Sequence, residues 1–175
     1  MKDLKNKVAL ITGASKGIGE AIALTFAAHG ANVVVNSRKQ EDLDKVANMI
    51  RAAGGECLTL AGNTGEVGTC KMLIDKTVEK YGGIDILVNN AASNPSYGPV
   101  VETEEWAYDK TMSVNVKAPF ELAKHAYPIM KQRGGGSVIN MSSIAGETPD
   151  RGLGIYSVSF ASTFVNIFSA ALETE

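Results

Sequence analysis

The chain has 175 residues, 45% of them apolar and 21% charged, enough for one domain with a real core. Its 17 Lys and Arg against 19 Asp and Glu leave a net charge of −2, which counts against a basic face for nucleic acid. Cys57 and Cys70 stand without motif spacing, as in a reduced compartment, and "MKDLKNKVALITG" holds too short an apolar run for a signal peptide or a membrane span, so a cytoplasmic protein without a membrane partner is expected.

Five short runs rich in Val, Ile and Leu predict strands at 7–12, 32–37, 56–62, 84–90 and 137–143. Most are apolar on both faces, the pattern of parallel strands covered from both sides. Between them, 17–30, 40–55 and 66–83 carry apolar residues at helical spacing, with Gly30, Gly54 and Gly82 placed as C-terminal stops. Residues 102–136 predict a short helix and then a long one, with a kink or boundary at Pro119. The alternation implies an α/β fold, a Rossmann-type doubly wound parallel sheet in the order 3-2-1-4-5, formed by a single domain over 1–175. Ligand is then expected at the carboxyl ends of strands 1 and 4.

The residues at those ends are unusual. "TGASKGIGEA" follows the first strand and opens the first helix, with Gly13, Gly17 and Gly19 spaced G-x-x-x-G-x-G. The first glycine permits a sharp turn, the second close approach of a pyrophosphate and the third tight helix–strand packing. Free amides and the helix dipole at 17–19 favour phosphate. "NSRKQ" at the end of strand 2 lacks the carboxylate that would bond a ribose 2′-hydroxyl, and Arg38 and Lys16 offer charge to a 2′-phosphate instead. NADP is therefore expected over NAD, held by Gly13, Ser15, Lys16, Gly17, Ile18, Gly19, Ser37 and Arg38. His29 and His125 lack metal-site spacing, and no metal is expected.

Taken together, "TGASKGIG", "NNAA" at 89–92, Asn115–Val116 and Ser143 thirteen residues before Tyr156 resemble the classical short-chain dehydrogenase/reductase family over about Lys7 to Ser159. The resemblance implies that Asn90 and Ala91 line the cofactor and that Asn63 and Asp85 lie near its adenine. It also implies that Asn115 holds a water in a proton relay, that Ser143 bonds the substrate carbonyl, and that Tyr156 is the general acid/base. Hydride arriving at a carbonyl leaves an alkoxide that needs a donor and then a proton, tasks that suit a serine and a tyrosine. The implied substrate is a small carbonyl or secondary alcohol, as for carbonyl or 3-oxoacyl reductases. The implied partner is a second copy, through helices at 110–132 and 155–173. The family also has a lysine four residues after the tyrosine and two further strands beyond this chain's last residue. Phe160 stands at the lysine position. Reduced turnover is expected, with a nucleotide-binding or interaction protein as the alternative.

Overall fold

A computed structural model of the chain describes residues 4–148 and 151–162. Strands β1 (Val8–Thr12), β2 (Asn32–Ser37), β3 (Cys57–Ala61), β4 (Ile86–Asn89) and β5 (Ser137–Asn140) form one parallel sheet in the order β3-β2-β1-β4-β5. The expected topology is the observed one. Helices α1 (Gly17–Ala28), α2 (Gln40–Ala52), α3 (Thr69–Tyr81), α4 (Glu105–Met112) and α5 (Ala118–Gln132) cover it, and residues 154–162 begin a sixth helix, α6.

The pleat sorts the strand residues. Ala9, Ile11, Val33 and Val35 pack with Leu43, Val46 and Ile50 of α2, while Leu10, Val34 and Leu87 pack with Leu73 and Ile74 of α3 and Leu122 of α5. With both faces covered, β1 is buried from end to end. Gly30, Gly54 and Gly82 all have positive φ, as expected of residues that stop a helix. The third helix starts later than its pattern implies, because Gly68 is left-handed immediately before Thr69.

Between α4 and α5 the chain does not simply kink. Ser113–Lys117 form a π turn, closed by the Ala118 N–H on the Ser113 carbonyl. Pro119 follows at once and cannot donate the N–H that the Asn115 carbonyl would otherwise accept. Of the expected oligomer helix at 155–173, residues 163–173 lie outside the described residues.

At the amino-terminal edge of the sheet, Asp85 is buried. It accepts the Val8 N–H at 2.8 Å and pairs with Arg133 through two bonds of 3.0 and 3.2 Å, with Lys7 at 3.8 Å. Burial alone would raise its pKa, but the Arg133 and Val8 hydrogen bonds and the two cations hold the carboxyl below its ordinary value. The folded pKa lies below the unfolded one, so this stabilisation is full above the ordinary carboxylate range and is lost as pH falls through the folded value. Asp85→Asn is expected to cost about 1–3 kcal/mol at neutral pH. It should also flatten the acid limb of a stability–pH curve measured by denaturant melts.

Candidate active site

The amide-rich turn is built by the residues around it. Gly13 has φ of +65°, and a Cβ there would stand 2.9 Å from both the Ala91 Cα and the Asn90 Nδ2. At Gly19 a Cβ would stand 2.5 Å from Asn90 Nδ2 and from the Gly13 carbonyl. These two glycines let the loop after β4 press against the loop after β1. Gly17 differs: its φ is +63° and nothing lies within 4 Å of the Cβ position. The first turn of α1 carries no side-chain cap, because Lys16 occupies the N-cap position without capping. An uncapped helix start beside an open glycine can receive a diphosphate, and no side chain closes it.

Asn90 braces this turn. Its side-chain amide donates to the Thr12 and Gly13 carbonyls at 2.9 and 3.1 Å, and the Thr12 hydroxyl accepts the N–H groups of Asn90 and Ala91, both at 3.0 Å. A second brace comes from Asn36, which is 1% exposed. Its Nδ2 donates to the Leu60 and Gly62 carbonyls and its own carbonyl accepts the Ala14 N–H at 2.9 Å, tying β2, β3 and the glycine turn together. The Ser37 hydroxyl donates to Ser15 at 3.0 Å, joining the turn to the end of β2. Lys16, Ile18 and Arg38 are exposed around the same mouth.

Asn63 lies after β3, accepting the Gly65 N–H and donating to Glu66. The expectation for Asp85 is corrected. It precedes β4 at the amino-terminal edge, where it meets the first residue of β1, whereas the glycine turn follows the last residue of β1. Its carboxylate is occupied by Arg133 and Val8 and lies at the opposite end of the sheet from the crevice.

The proposed reacting residues gather around the start of α6. Asn115 is 2% exposed in the π turn. Its carboxamide accepts the Ser93 N–H at 2.8 Å and donates to the Ser93 carbonyl and to Ser159 Oγ, each at 3.0 Å. Ser159 in turn donates to the Tyr156 carbonyl at 2.7 Å, so one chain of bonds links the π turn to the tyrosine's backbone. Ser143 follows β5 and caps the short turn Ile144–Gly146 by accepting the Ala145 N–H at 3.2 Å, which leaves its proton to donate. Gly146 seats that turn on α6, since a Cβ there would stand 2.9 Å from the Phe160 backbone. Tyr156 is half-buried, and its ring meets the Phe160 ring edge-on at 4.6 Å and 69°. Phe160 is 5% exposed, so an apolar ring occupies the turn of helix beside the phenol. Gly98 donates to the Gly152 carbonyl at 3.0 Å, drawing the loop after β4 against the approach to α6.

Thr12, Asn36 and Ser93 hold this site together although sequence reading does not single them out. For Asn36 the signal was present, a lone amide in the run "VVVNS".

Comparison with known proteins agrees with the geometry. Residues 7–175 match the model of the short chain dehydrogenase family. Dehydrogenase/reductase SDR family member 4 of Homo sapiens is 45% identical over 159 residues, which make up 89% of this chain and 56% of that protein. Tropinone reductase-like 3 of Erythroxylum coca is 41% identical, over 88% of this chain and 59% of its own length. The chain thus spans less than two thirds of the curated relatives it matches. Among solved structures, a metagenomic short-chain oxidoreductase in complex with NADP superposes with a TM-score of 0.93 at 34% identity, over 98% of this chain and 78% of that one. An NAD+-bound xylitol dehydrogenase superposes equally well, with a TM-score of 0.93 at 27% identity, over 98% of this chain and 66% of that one.

Proposed function

The chain belongs to the short chain dehydrogenase family, and from that membership we propose that it is a single NADP-binding domain moving hydride between nicotinamide and a small carbonyl or secondary alcohol. The observation that carries this reading is the uncapped start of α1 at an open Gly17, with Lys16 and Arg38 exposed beside it. Its relatives' solved structures hold NADP in one case and NAD+ in another, so the preference rests on this chain's own residues. Arg38 and Lys16 supply charge for a 2′-phosphate, and no carboxylate stands at the end of β2. Arg38→Ala is expected to weaken NADPH binding by about ten- to a hundredfold while changing NADH binding little, read by nucleotide fluorescence titration.

The bound nicotinamide would supply or accept the hydride. Ser143, whose proton has no acceptor among the described residues, donates to the developing oxyanion. Tyr156 passes a proton to or from that oxygen. Both Asn115 amide hydrogens are engaged by Ser93 and Ser159 and its side-chain oxygen accepts the Ser93 N–H, so its part is to hold α6 against the π turn, and a relay water would use its main-chain carbonyl. Phe160 favours a second reading, nucleotide binding without turnover. Titrating NADPH and then assaying carbonyl reduction separates the two. Binding with turnover supports the enzyme, binding alone supports the second reading, and no binding defeats both.

Self-association through the outer face of α4 and α5 is part of the proposal. Asp109, Met112, Ser113, Val116, Lys117 and Phe120 line an open groove there, and Trp106 and Phe120 are 58% and 53% exposed. An antiparallel second copy centred on Ser113 sets Asp109 against Lys117 and Trp106 against Phe120 in both directions, as a twofold interface requires. Lys117→Asp is expected to shift the chain toward monomer in sedimentation equilibrium, and Asp109→Lys added to it should restore the dimer. No helix among the described residues is long and apolar enough to cross a membrane, and a cytoplasmic setting accords with the proposed cofactor.

A further inference from the structure

The segment after β3, its loop and the first turn of α3, meets the π turn near both of its ends. At the first end is Gly65, where a Cβ would stand 2.8 Å from Val114 Cγ2 and 3.0 Å from Ser113 Oγ. Val114 is 6% exposed and β-branched on a helical backbone, so it has little room or rotamer freedom to yield. At the far end the buried Cys70 sulfur lies 3.4 Å from the Thr64 carbonyl and 3.8 Å from the Ala118 carbonyl. Burial pushes that thiol up to about 11, so it keeps its proton and stays a donor between loop and helix. The loop itself is shaped by Asn63, whose side-chain oxygen accepts the Gly65 N–H at 3.2 Å.

Asn115 sits at the middle of the five-residue π turn. Its carboxamide must meet both polar atoms of the Ser93 backbone at 2.8 and 3.0 Å and Ser159 Oγ at 3.0 Å. Three bonds on one planar group tolerate little rotation of the backbone that carries it.

We propose that Gly65 is a positioning residue for Asn115: having no side chain, it seats the loop after β3 directly on Ser113 and Val114, and so sets the rotation of the π turn that delivers Asn115 to Ser93 and Ser159. The seating is a property of the fold. Only its effect on turnover rests on the proposed function of the site.

The test uses the whole chain labelled with nitrogen-15, with the Asn115 side-chain amide pair assigned by its loss in Asn115→Asp. Gly65→Ala is expected to shift that pair and to speed exchange of the Ser93 amide by about tenfold or more, as overpacking loosens its bond. Gly65→Ala combined with Val114→Ala, which removes the methyl in the way, should return both signals toward the parent. If Gly65→Ala does not fold, Val114→Ala alone should move the Asn115 pair by withdrawing the seat. An unmoved Asn115 pair in the folded variants, or a shift that Val114→Ala does not reverse, overturns the proposal. A turnover assay on the same proteins, with NADPH affinity measured alongside, is expected to show lower kcat at unchanged affinity. Absence of any turnover in the parent would sink the enzyme reading and leave the nitrogen-15 result standing.

Discussion

Phe160→Lys is expected to raise the rate of the proposed carbonyl reduction by about 10²–10⁴, the usual worth of assisted proton transfer. The substitution puts an ammonium one helical turn after Tyr156, where it would favour the phenolate form needed for exchange. The present ring lies 4.6 Å from the phenol ring and has neither charge nor donor to offer. The backbone at 160 would hold, because Gly146 packs on the Phe160 main chain and Cβ, which a lysine keeps. Stability should move the other way. Removing a ring that is 5% exposed forfeits the edge-on contact, worth about 0.5–1.5 kcal/mol, and asks an ammonium to reach solvent along its own stem. A lower melting temperature with a higher rate is therefore the expected pair, measured by thermal melts and by NADPH consumption against a carbonyl panel. Adding Tyr156→Phe should remove the gain. A gain that survives that change would show that the proton comes from elsewhere.

The second large effect separates two glycines only two residues apart. Gly19→Ala drives a methyl into the Gly13 carbonyl and the Asn90 amide, each 2.5 Å from the Cβ position. The loop cannot keep its shape, so destabilisation of about 1–3 kcal/mol or more and loss of nucleotide binding should come together. Gly17→Ala meets nothing within 4 Å. Its cost is the left-handed backbone, about 1–2 kcal/mol, and the fold should survive. Affinity for NADPH should still fall by at least about tenfold, because the methyl would stand where a diphosphate oxygen approaches the amides. Thermal melts and calorimetric titration of both variants check this. Full affinity in Gly17→Ala would place the diphosphate elsewhere.

Much of this architecture was legible in the residues. Alternating short apolar runs and amphipathic stretches imply a parallel sheet, and the glycine turn after β1 marks the end at which nucleotide binding is proposed. The misread parts share a cause, contacts between residues far apart in sequence. Asp85 stands immediately before the strand Ile86–Asn89 and looks like site chemistry beside "NNAA". Its bonds to Val8 and Arg133, 77 and 48 residues away, show that it belongs to the opposite edge. Pro119 marks a break in the long helix, but a proline within a helical pattern does not say whether the chain bends, stops or adds a residue to one turn. The π turn that results depends on Gly65 of the loop after β3 and Cys70 of α3. Ser93 is an ordinary serine until Asn115 closes on both of its backbone groups.

Asn36 also limits how the chain could exchange one dinucleotide for the other over evolutionary time. A carboxylate at that position would point into the Leu60 and Gly62 carbonyls, which now receive its two amide hydrogens. Mutation of Asn36 to Asp would therefore cost the sheet before it could reward a new ribose contact. The adjacent Ser37 is half-buried at the rim, and among the described residues its side chain bonds only to the Ser15 hydroxyl. Any descendant that prefers the unphosphorylated coenzyme should carry its acidic substitution at residue 37, together with loss of Arg38, and retain the amide at 36.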